Sequence, residues 1–149
     1  MSQQFKYFQL HPLLAETTHL ILNYDQGILS LVVGEEILEQ QLLSPSEMYV
    51  IDALLKNYPE YCPYEAVLAA MTGKSIDACR EKVLWGLEEG TVDVVMRPVR
   101  NLLGRCRLKL RPFGIEIKSL VHMGYLLVPL KRKSGARVNF STLERVEKK

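Results

Sequence analysis

Cysteine, histidine and tryptophan are scarce in this chain, at 3, 3 and 1 of 149 residues. The cysteines, Cys62, Cys79 and Cys106, are odd in number, lie 17 and 27 positions apart and form no C-x-x-C pair. A disulfide framework and a zinc site are therefore not expected, and the thiols read as single buried side chains in a reducing compartment. Long apolar runs are also missing. The longest, Ser119 to Leu130, has twelve residues interrupted by His122 and Gly124, too short and too polar to span a bilayer. Met-Ser-Gln-Gln-Phe-Lys at the start has no apolar centre for a signal peptide, so no membrane partner is expected and the cytoplasm is the expected location.

What is present is an ordinary hydrophobic fraction, 48%, and a net charge of only +2, enough apolar material for one domain with its own core. The small total hides a division. Residues 1–60 carry two Lys and eight acids, residues 61–96 three bases and six acids, and residues 97–149 fourteen bases and three acids. A basic segment of that density points to a polyanionic partner.

The chain opens with short apolar runs, Phe5 to Leu10, His19 to Tyr24 and Ile28 to Val33, with Asp25-Gln26-Gly27 as a turn between the second and third. This predicts three or four antiparallel strands over residues 1–43. Glu35, Glu36 and Glu39 read as a solvated edge. At Ser44-Pro45-Ser46-Glu47 the pattern changes to a capping box with proline at the first helical position, predicting a helix to Asn57. A second helix fits Pro63 to Thr72, stopped by Gly73. A third fits Ile76 to Glu89 between Ser75 and Gly90, with Ile76, Cys79, Val83, Leu84 and Leu87 as its buried stripe and Trp85 at the edge.

After Gly90, Val92, Val95, Met96, Val99, Leu102, Leu103, Cys106 and Leu110 step by three and four, the apolar face of one long helix. Its polar side holds Arg97, Arg100, Asn101, Arg105, Arg107, Lys109 and Arg111, with no acid between Asp93 and Glu116. Such a helix fits the DNA major groove. Pro98 costs about 3 kcal/mol inside a helix but little in the first turn, so regular helix is expected to start near Val94 to Met96, with a kinked helix as the alternative. Ile115 to Val121 and Tyr125 to Val128 then read as a β-hairpin over residues 115–130. Residues 131–149 read as a basic, flexible tail, with Ser141 to Glu144 as a capping box that has little to bury.

Strands, then a helical core over residues 44–110, then a hairpin define an α+β fold. The order resembles the winged helix-turn-helix DNA-binding domain of the OmpR/PhoB response-regulator family. The resemblance rests on four segments: Val33 to Ile37 with Leu43 to Glu47; Asn57 to Leu68; Thr91 to Arg97 with Val99 to Gly104; and Ile117 to Ser119 with Met123 to Leu126. It implies a sequence-specific, DNA-binding transcriptional regulator formed by residues 1–130. Double-stranded DNA is the implied partner, and RNA polymerase, through the 73–90 segment, and a second copy of the chain are further candidates. Arg97, Arg100 and Asn101 are the implied recognition-helix residues and Lys118 a wing-side phosphate contact. Arg105 and Arg107 join them by charge and helical face.

The chain departs from that family in four places. Val121 and His122 stand where the wing commonly has Arg and Gly, Pro98 is foreign to the recognition helix, and Gly73 to Gly90 holds an extra helix. If that helix is the recognition element, residues 91 onward begin the wing. About forty residues precede the first helix, too few for a receiver domain, so control without receiver phosphorylation is expected of this chain, as in an atypical response regulator, the alternative being a fragment of something longer.

A protein-interaction module on a winged-helix scaffold is the alternative, motivated by the acidic first 96 residues and the altered wing. An enzyme is not expected, and neither is a cofactor. Thr72-Gly73-Lys74-Ser75 looks like the end of a phosphate-binding loop, but Leu68 occupies the place of its first glycine and a helix precedes it instead of a strand.

Overall fold

The computed structural model describes residues 4–130, so the expectations for residues 131–149 lie outside the described residues. The fold is α+β. Four strands, β1 (Phe5–Phe8), β2 (Thr18–Asn23), β3 (Ile28–Val33) and β4 (Glu36–Leu42), form an antiparallel sheet in sequence order. Thr18, Leu20 and Leu22 alternate inward along β2, as a half-buried strand requires. The acidic run at Glu35, Glu36 and Glu39 falls at the outer edge of this sheet, where charge discourages further pairing.

Helix α1 (Pro45–Asn57) starts with the expected capping box. Ser44 Oγ accepts the Glu47 N–H at 3.2 Å, and Glu47 Oε1 accepts the Ser44 N–H at 3.0 Å. A two-residue strand, β5 (Cys62–Pro63), then leads into α2 (Tyr64–Thr72), which Gly73 ends in the left-handed conformation. Helix α3 (Ile76–Glu89) has the Ser75 cap and Gly90 stop that its sequence predicts. Its stripe differs from the expectation. Cys79 and Val83 are buried, but Ile76 and Leu84 are exposed along with Trp85. The helix packs chiefly on α2 and α4, which among the described residues leaves Ile76, Leu84 and Trp85 exposed on its flanks.

Helix α4 runs without interruption from Val92 to Leu110, with Pro98 inside it. The expected late start near Val94 to Met96 is therefore corrected: Thr91 stands at the N-cap position without a side-chain cap, and its carbonyl already accepts from Val95. Burial of Val92 draws the first turn onto the core. Val94 and Pro98 both stand on the exposed side, where water can reach the carbonyl that proline leaves without a donor.

A single 3-10 turn (Arg111–Phe113) leads to the hairpin of β6 (Ile115–Leu120) and β7 (Gly124–Pro129). β5 pairs with β7, giving the order β5-β7-β6. That pairing requires glycine at 124, because a Cβ there would stand 2.1 Å from the Cys62 carbonyl oxygen. One hydrophobic core unites sheet, helices and hairpin, with Leu20, Leu22, Leu29, Ile51, Met96, Leu103, Leu110 and Ile115 fully buried. Burying such a side chain stabilises the fold by roughly 2 kcal/mol.

Candidate nucleic-acid interface

The apolar keel of α4 settles which of its residues face outward. Val92, Met96, Val99, Leu102, Leu103, Cys106 and Leu110 are buried, so the opposite side must be solvent. Along the middle of that side run Val94, Arg97, Asn101, Gly104 and Leu108, all exposed and spaced by three and four. At 1.5 Å per residue the helix is about 28 Å long.

The flanks of this line are cationic and tied down. On one flank, Arg100 Nη2 donates to Asp93 Oδ1 at 2.6 Å. Arg107 donates from Nε to the Ile117 carbonyl at 3.3 Å and from Nη2 to Ser119 Oγ at 3.2 Å, joining α4 to the hairpin. On the other flank, Arg105 Nε lies 3.4 Å from Glu47 Oε2, and the Lys109 ammonium donates to the Leu42 carbonyl. Glu47 is nearly buried, so one carboxylate serves both the α1 cap and α4. Arg97 and Asn101 make no hydrogen bond or ion pair with other described residues, which leaves their donors and acceptors free.

The hairpin tip is folded back on α2. His122 takes a φ of +61°, its N–H donates to Tyr64 Oη at 3.1 Å, and the Tyr64 N–H donates to the Met123 carbonyl. Between this tip and the first half of α4 lies a cleft of about 360 Å³, its walls including Asp93, Arg100, Ser119, His122 and Tyr125. The Arg100 hydrogen bond holds the Asp93 carboxyl below its ordinary range, and burial raises the Tyr125 phenol.

The structure thus brings Arg97, Arg100, Asn101, Arg105 and Arg107 to one half of α4. Lys118 is separate. It is exposed on the face of β6 opposite Ile117 and Ser119, beside Glu116, Val128 and Pro129. Sequence reasoning missed Gly104 and Leu108, although the step of three and four that traced the keel also traces the outer line. Among the described residues no group of three or more His, Cys, Asp or Glu is placed to hold a metal ion, and no helix is long and apolar enough to cross a membrane. No family model, curated protein or solved structure matches the chain.

Proposed function

We propose that the protein is a sequence-specific, DNA-binding transcriptional regulator of winged helix-turn-helix type, similar in its order of elements to the OmpR/PhoB effector domain. One observation carries the reading: a long helix with a buried keel presents a side bearing five bases and Asn101, with Asp93 as its one acid, and a β-hairpin follows directly. Free Arg and Asn side chains suit guanine and adenine edges, and the flanking cations suit phosphates. The order β5-β7-β6, with the first strand between two helices, supports the winged arrangement. The charge pattern supports α4, not α3, as the reading helix, since α3 exposes mixed charges with Leu84 and Trp85. The hairpin is a short wing whose tip rests on Tyr64. Its Lys118 grips a phosphate at the periphery.

Mobility-shift titration of the purified chain with duplex DNA at two salt concentrations tests this. A steep loss of affinity with salt is expected, because several phosphate contacts release counterions. Binding that is undetectable even at low salt would overturn the proposal.

A second reading has its own observation. Leu84 and Trp85 are 53% and 58% exposed on an acidic helix, a surface suited to a protein partner such as RNA polymerase. A partner retained by the wild-type chain after nuclease treatment and lost with Trp85→Ala would favour it.

A further inference from the structure

Gly104 lies where nothing in the fold asks for a glycine. It sits in the interior of α4, six residues before the end, in ordinary helical conformation and exposed. Glycine is the poorest interior helix former after proline, because it loses the most backbone freedom on folding. Elsewhere among the described residues glycine has a structural reason: Gly27, Gly34, Gly73, Gly90 and Gly114 take positive φ, a Cβ at Gly86 would crowd the Val92 backbone, and one at Gly124 would collide with the Cys62 carbonyl. At Gly104 the φ is not positive, and a Cβ built on the backbone would meet nothing within 4 Å.

The position is specific. Gly104 follows Arg97 and Asn101 on the outward line of α4, three residues after Asn101 and four before the exposed Leu108. Arg100 and Arg107, one turn to either side, form the flank that faces the hairpin. A missing side chain at this point removes the outermost layer from the middle of the surface where the free donors are. Backbone can then approach a bound molecule about one side-chain layer closer than at any other position on the line.

We infer that Gly104 is the close-approach point of the interface: it lets the α4 backbone sink against duplex DNA, so that Arg97 and Asn101 reach the base edges. This rests on the DNA-binding reading proposed above. Gly104 is a positioning residue. Its effect is steric, and a side chain there would hold the helix away while adding no charge.

The test uses the full chain, with Gly104→Ala and Gly104→Met beside the wild type and Arg97→Ala. Both replacements are strong helix formers, so thermal melts should show the midpoint unchanged or raised, by roughly 3 °C for alanine. Binding to the duplex that the wild type enriches from a random-sequence pool should move the opposite way. A loss on the order of tenfold is expected for alanine and a larger one for methionine, with the salt slope unchanged because no phosphate contact is removed. Opposite signs in stability and affinity separate close approach from a role in folding.

If Arg97→Ala weakens binding while both Gly104 variants bind like the wild type, close approach is wrong and the DNA-binding reading stands. If the variants melt lower than the wild type, the glycine serves the fold and the inference fails. If the wild type neither enriches nor binds duplex DNA at low salt, the functional proposal fails and takes this inference with it.

Discussion

Arg100 and Asp93 meet at 2.6 Å on the exposed first half of α4, so that the acid nearest the candidate DNA face holds one of its arginines. Both residues line the cleft beside the hairpin tip, where a phosphate oxygen would compete with the carboxylate for the same guanidinium. Replacing Asp93 by Asn should therefore free Arg100 and tighten DNA binding by roughly fivefold at low salt, with a salt slope steeper by about one. Paired titrations at two salt concentrations read both quantities, and weaker binding by the variant would count against the assignment.

The same pair has a pH signature. Hydrogen bonding from Arg100 holds the Asp93 carboxyl below the ordinary carboxylate range. A carboxylate with a lowered native pKa contributes its stability in full above the unfolded pKa and loses it as pH falls through the native one. Neutral and mildly acidic solutions should leave the pair intact. An NMR titration of the Asp93 side chain should give a midpoint below the ordinary aspartate range, and Arg100→Ala should return it toward that range.

Arg97 and Asn101 should differ from Lys118 in what they control. Truncating either of the first two should cut discrimination among DNA sequences by about 1–3 kcal/mol per base pair read. Truncating Lys118 should weaken binding to all sequences about equally and reduce the salt slope by about one. Selection from random-sequence DNA, repeated with each variant, separates the two behaviours.

Glu47 joins the start of α1 to α4 through Ser44 and Arg105. Glu47→Ala should cost about 1–2 kcal/mol, since it removes the acceptor for the Ser44 N–H and the helix-cap reciprocity. Urea unfolding measures this, and an unchanged midpoint would show that the shared carboxylate contributes nothing. Gly124→Ala should be worse, on the order of 3 kcal/mol, because the new methyl would force β7 off the Cys62 carbonyl.

The three cysteines are free and buried, and burial pushes the Cys62 and Cys106 thiols up to about 12. In the native protein at about pH 8 these thiols should resist a disulfide reagent, and in denaturant all three should react. Rapid native labelling of Cys62 or Cys106 would contradict the packing around β5 and α4.

Much of this architecture is legible along the chain. Ser44 to Glu47 starts α1, Ser75 and Gly90 bracket α3, and the keel of α4 repeats every three or four residues, because caps and helical periodicity depend on neighbours within one or two turns. The α+β order and the concentration of bases after Arg97 are sequence properties in the same sense. Tertiary structure decided the rest. β5 has two residues and no pattern, and it exists only because β7, some 60 positions later, lies beside it. Ile76 and Leu84 have the spacing of core residues and are exposed because no described residue packs over that side of α3. Pro98 stays inside a helix while Val92 and Met96 before it and Val99 after it are buried on the same keel, which holds the chain helical across it. The sorting of the basic residues is likewise long-range: Arg105, Arg107 and Lys109 meet Glu47, the hairpin and Leu42, while Arg97 and Asn101 make no hydrogen bond or ion pair with another described residue. Periodicity shows which residues share a face of a helix. Which of them keep their hydrogen-bonding capacity for a partner depends on the side chains and carbonyls that folding brings within about 3 Å.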